Sequence, residues 1–310
     1  MQRSLAVILT FLAAAAPAYA QPTRQVERQA VRPGAVSPGP NLLAALRARG
    51  FALPDVTATL NAPTGLALDA AGNLYVANAQ AGVNVYARGR GLIATITSGV
   101  SAPVGVAINF AGDVYVGNSG TNTVSIYSPS FAPMGAITDA SINGLEGLYI
   151  DKNDDLWVLD AAGLLHSYLD NGTVLPTTYT GGTAVGPWGA DVTVWGVLDP
   201  SVGYIEAYQN VGEALHNGPN LSNFLYPSPQ AGAETEDYLG QQYVTDIANQ
   251  QVVIFSADGL NEVGTFTTPA MPFGIAVDSA HGRIYVSIVS LNEVVIYSIK
   301  PPYHQIGVIH

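Results

Sequence analysis

The 310-residue chain contains no cysteine and sets 11 lysines and arginines against 23 aspartates and glutamates, for a net charge of −12. Disulfides, thiolate nucleophiles and cysteine-held metals are therefore excluded, and stability must come from packing. From residue 51 onward five cations face 22 carboxylates, a net −17, and so anionic a body repels phosphate backbones and excludes nucleic acid as a partner.

The first segment reads as a secretory signal: Arg3 is the positive end, Leu5 to Ala16 the apolar stretch, and Ala18-Tyr19-Ala20 the small-residue cleavage site. Cleavage after residue 20 and a secreted or periplasmic location are the expectation. No later stretch approaches the roughly 18 to 20 continuous apolar residues of a membrane helix. Residues 21–50 carry Arg24, Arg28, Arg32, Arg47 and Arg49 against Glu27 alone and are rich in Pro, Gly, Gln and Ala, which predicts a flexible basic leader. Residues 51–310 are left for the folded domain.

That domain is repetitive. A turn ending in glycine recurs as Pro63-Thr64-Gly65, Pro103-Val104-Gly105, Leu145-Glu146-Gly147, Pro187-Trp188-Gly189, Gln230-Ala231-Gly232 and Pro272-Phe273-Gly274, with the glycines 40, 42, 42, 43 and 42 residues apart. Each unit continues as an alternating strand, a tight turn such as Asp69 to Gly72, and a second strand ending at Asn78, Asn118, Asp160, Asp199 or Asp246. A third strand ends in an aromatic at Tyr86, Tyr127, Tyr168, Tyr208, Phe255 and Tyr297, and a short fourth follows, as in Leu92 to Ile96. Four strands per repeat, six times, predicts an all-β six-bladed propeller of four-stranded antiparallel blades. Either Val56 to Leu60 or Gln305 to Ile309 must complete the last blade; the N-terminal segment is preferred, since joining the chain ends removes an exposed edge.

The run Pro-x-Gly-(apolar)-Ala-(apolar)-Asp-x-x-Gly-Asn-(apolar)-Tyr-Val-x-Asn at 63–78 resembles the NHL repeat, shared in outline by the SMP-30/gluconolactonase propellers. The resemblance covers about 51–310, is sharp in units one, two and six, and is weak in unit four. It implies the propeller fold. For the gluconolactonase kind it also implies a divalent metal such as calcium in the channel, held by an entry-loop glutamate, whose part only Glu146 could take.

Antiparallel strands place the loop entering strand one and the loop leaving strand two on the same face. The candidate ligand-binding residues are therefore Thr64, Glu146, Trp188 and Phe273 at the channel mouth, with Asn78, Asn118, Asp160 and Asp246 behind them. Each has a competing structural role: a carboxylate beside a glycine turn accepts backbone N–H bonds, and Asn and Asp suit turns. Asp151-Lys-Asn-Asp154-Asp155 aligns with the hairpin turns and lacks the glycine and distal glutamate of a calcium loop. The five histidines do not cluster at metal-ligand spacing, and no Gly-x-Ser-x-Gly elbow occurs. Two functions follow as expectations: a binding module taking a small molecule, glycan or peptide at the channel face, or a metal-dependent lactonase-like hydrolase.

Overall fold

The computed structural model describes residues 60–88, 91–151, 153–169, 173–174, 178–179, 184–187, 195–199, 204–208, 231–257 and 261–310; between 178 and 208 it describes strand backbone. Blade one is β1 (Pro63–Leu68), β2 (Leu74–Asn78), β3 (Gly82–Ala87) and β4 (Gly91–Ile96). Blade two is β5 (Pro103–Ile108), β6 (Val114–Asn118), β7 (Thr123–Tyr127) and β8 (Pro133–Thr138). Blade three is β9 (Leu145–Ile150), β10 (Leu156–Asp160), β11 (Leu164–Tyr168) and β12 (Thr178–Tyr179). A three-stranded sheet follows, β13 (Ala184–Pro187), β14 (Trp195–Asp199) and β15 (Tyr204–Tyr208). The last two blades are β16 (Ala231–Glu236), β17 (Gln242–Asp246), β18 (Gln251–Phe255), β19 (Glu262–Thr267), and β20 (Ile275–Asp278), β21 (Arg283–Ile288), β22 (Glu293–Ser298), β23 (Gln305–Ile309).

Among the described residues there are five four-stranded blades, not six. The expected fourth blade is described as a three-stranded sheet, and the strand registers show that the glycine marker was misplaced there. Gly65, Gly105, Gly147 and Gly274 occupy one slot on the inner strands, but that slot is filled by Ala184 in β13 and Ala233 in β16. The regular glycine spacing thus ran through Gly189 and Gly232, which are not the structural equivalents of the other four.

Inner strands β1, β5, β9, β13, β16 and β20 touch in succession and β20 returns to β1, so the sheets close around an axial channel. Closure uses C-terminal residues: β23 pairs with β22 as the outer strand of the last blade. The preference for the N-terminal segment is thereby corrected; of that segment only Leu60 is described, buried against Val294, Ile296 and Ile309. The first and last blades are joined by Ser287 Oγ donating to Thr64 O (2.7 Å), Ala62 N to Asn292 Oδ1 (2.8 Å) and Arg283 Nη1 to Arg88 O (2.7 Å).

The hairpins form for local reasons. Asp69 Oδ1 accepts from the N–H groups of Ala71 and Asn73, and Gly72 takes φ 78°, which only glycine adopts without cost. Asp237 and Asp151 repeat the arrangement, so the Asp151–Asp155 segment is a hairpin turn. The turn carboxylates also anchor aromatics, as Trp157 Nε1 donates to Asp151 Oδ2 (3.1 Å) and Tyr243 OH to Asp237 Oδ2 (3.2 Å). Between blades, apolar residues of β1, β5 and β20 pack on the preceding blade: Leu66 with Tyr285, Val106 with Tyr75, Ile275 with Tyr243. Among the described residues no helix is long and apolar enough to cross a membrane.

Candidate functional site

The channel has a volume of about 310 Å³ and is walled by the inner strands, mostly through glycines and aliphatic residues, with Glu146, Tyr149, Glu234 and Thr235 as its side-chain polar groups. Its mouth is shaped by a recurring β-bulge. In β5 and β9 the register slips between Pro103 and Gly105 and between Leu145 and Gly147, so Val104 and Glu146 are extra residues left without a cross-strand partner. Equivalent slips put Thr64 and Gly232 at this position in β1 and β16, so Gly232 rather than Ala231 stands at the rim.

The rim positions differ in what their side chains do. Thr64 Oγ1 lies 3.1 Å from both Ala77 O and Pro103 O and stitches blade one to blade two. Phe273 lines the channel, half-buried, while its carbonyl accepts from Thr245 Oγ1 (2.8 Å). Glu146 is exposed at the mouth and, among the described residues, accepts no hydrogen bond. Partial burial, then the charge of Asp160, raises its carboxyl above the usual range. Trp188 lies outside the described residues; β13 ends at Pro187, so in chain order Trp188 follows an inner strand instead of preceding it.

Asn78, Asn118, Asp160 and Asp246 are fully buried. Asn78, Asn118 and Asp160 each accept from a backbone N–H of the loop entering their own blade, at Asn61 (2.7 Å), Ser101 (2.9 Å) and Asn143 (3.1 Å). Asp160 also accepts from Ala162 N, Leu164 N and His166 Nε2. Burial opposes its ionisation, but these bonds outweigh that and its carboxyl lies below the normal range. Asp246 accepts from Asn249 and Gln251. This amide-and-carboxylate layer holds the rim loops in place. Replacing Asn118 by Ala strands the partly buried Ser101 N–H, and a loss of about 1–2 kcal/mol in urea unfolding is expected, with the urea dependence unchanged.

Deeper in the channel are residues that the sequence reading did not single out. Glu234 is buried and, among the described residues, neither carboxyl oxygen has a partner. Burial, then Glu236, raises it well above the ordinary glutamate value. Tyr149 is raised too, by burial and then by Glu236, Asp151 and Glu234, so these groups share one electrostatic neighbourhood. Registering the inner strands by structure exposes the signal: Glu234 takes the slot of Leu66, Val106, Leu148 and Ile275.

Calcium takes six to eight oxygens. Among the described residues no group of three or more His, Cys, Asp or Glu converges to hold a metal ion. The described donors of these inner strands do not by themselves make the oxygen set of the metal implied by the gluconolactonase resemblance.

No family model matches the chain, and no curated protein does. Solved structures do. Virginiamycin B lyase from Staphylococcus aureus superposes with a TM-score of 0.58 at 12% identity, over 79% of this chain and 84% of that one. A gluconolactonase from Xanthomonas campestris gives 0.59 at 15%, over 74% and 84%. A chain of a nidogen/laminin complex gives 0.55 at 16%, over 68% and 83%. The chain has the fold of the NHL and SMP-30-like β-propellers. Within that superfamily fold, enzymes and binding modules share one scaffold, so this chain's role has to be argued from its own channel.

Proposed function

We propose that the protein is an exported binding module that takes a ligand at the channel face, with Glu146 as the charged anchor and Phe273 as the apolar wall. One observation carries this reading: the neighbouring buried acids and amides are committed to loop hydrogen bonds, whereas the Glu146 carboxylate is exposed at the mouth of a concave, largely apolar channel and accepts none among the described residues. A free carboxylate at the mouth of a channel that an aromatic ring also lines selects a ligand carrying a protonated amine, and the −17 body draws such a cation in.

The test is a calorimetric titration of the mature protein with n-hexylamine. Binding is expected, with at least a ten-fold loss in Glu146→Gln, about 1.4 kcal/mol for one charge-assisted contact. Indifference of the affinity to that substitution overturns the reading. Millimolar calcium serves as the second arm: no rise in melting temperature is expected, and a rise abolished by Glu146→Gln would favour the lactonase-like hydrolase instead.

A further inference from the structure

The ring is irregular in one place, and the irregularity is polar. In β13–β15 the register pairs Gly186 with Gly196. The matching pairs elsewhere are Ala67 with Tyr75, Ala107 with Tyr115, Tyr149 with Trp157, Thr235 with Tyr243 and Ala276 with Tyr285. At that slot the three-stranded sheet therefore has glycine where each four-stranded blade has a large aromatic.

The strands on either side compensate with unusual residues. On β9, Tyr149 occupies the slot of Ala67 and Ala107, which belong to the clusters shared with the following blade. On β16, Glu234 occupies the slot whose apolar equivalents pack on the preceding blade, and Glu236 lies two residues further along the same face. Tyr149 and the two glutamates thus approach the glycine-bearing sheet from its two sides. Nine-tenths buried, lining the channel and without a hydrogen-bond partner, Glu234 is a polar group waiting for a donor.

We propose that this cluster is a second cation subsite, and that the channel ligand is a linear diamine or polyamine. One ammonium pairs with Glu146 at the mouth and another with Glu234 and Glu236 beside Tyr149. The inference rests on the binding reading above and specifies its ligand. Two residues of strand separate the level of Glu146 from Glu234 and four from Glu236, roughly 7–13 Å at ~3.3 Å per residue, a range that includes an aliphatic spacer of about six carbons. The aliphatic and glycine wall between the levels suits methylenes, and among the described residues no Lys, Arg or His lines it. An ammonium in the subsite supplies the missing donor and relieves the repulsion between Glu234 and Glu236.

Affinity for 1,6-diaminohexane is compared with that for n-hexylamine, which differs by the one ammonium, in the wild type and in Glu234→Gln. The diamine is expected to bind at least ten-fold tighter, and Glu234→Gln should erase that margin. Tyr149→Phe, which keeps the ring, should reduce the margin only partly. If hexylamine binds through Glu146 and the diamine gains nothing, the second subsite is wrong and the binding reading survives. If neither amine binds, both fall. A margin that persists in Glu234→Gln likewise overturns the assignment.

Discussion

Gly274→Ala is expected to lower the melting temperature by about 6–12 °C. A Cβ at Gly274 would run into the carbonyl oxygen of Thr64 in the first blade. That oxygen cannot step aside, because Ser287 Oγ donates to it at 2.7 Å while accepting from Gly274 N at 2.7 Å. The added methyl must therefore push apart the two blades where the ring closes, breaking both bonds. Overpacking of this kind costs about 3 kcal/mol, and each kcal/mol moves the melting point of a domain this size by about 2–4 °C. Gly147→Ala is the internal control. It changes the same slot of β9, yet among the described residues nothing lies within 4 Å of the new methyl, and less than about 2 °C is expected from propensity alone. Equal losses in the two variants, read by scanning calorimetry, would show that the glycines serve strand conformation and not ring closure.

The same slot explains what could be read from the sequence. Gly65, Gly105 and Gly274 are glycine because a neighbouring blade fills the space of a Cβ, and such a steric demand leaves a visible mark in those three units. Hairpins were equally legible, since Asp69, Asp151 and Asp237 bond their own turns. The irregular sheet was not, because alanine satisfies the slot at 184 and 233 while nearby glycines preserve a misleading period. Glu146 was legible as a candidate, but its freedom from backbone bonds depends on a bulge and emerges only from the strand register. Glu234 was hidden by the one-residue misalignment of its repeat, which kept it out of register with Leu66, Val106, Leu148 and Ile275.

Glu234→Leu should stabilise the protein by about 2 kcal/mol, or roughly 4–8 °C, because it removes an unpartnered buried carboxyl and restores the apolar residue found at Leu66, Val106, Leu148 and Ile275. The gain should also depend on pH. Burial, then Glu236, raises the folded-state value of Glu234 above that of the unfolded chain. The native state therefore holds the proton more tightly. The stability linked to that proton is complete below the unfolded value and is lost as pH rises through the folded one, by at most about 1.4 kcal/mol per unit for one proton. Glu236 is raised by burial and acts in the same sense. Asp160, whose folded value is lowered, acts in the opposite sense, but its stabilisation is lost only as pH falls through that lowered value, outside the Glu234 window. Wild-type stability should thus decline as pH rises above the usual glutamate range, and Glu234→Leu should flatten much of that decline. A variant no more stable than the wild type at any pH would mean that the carboxyl is satisfied in solution, and would remove the physical basis of the deep subsite. A variant that is more stable but no longer distinguishes 1,6-diaminohexane from n-hexylamine would show stability given up at this position for recognition, since an apolar side chain packs there in four other blades without difficulty.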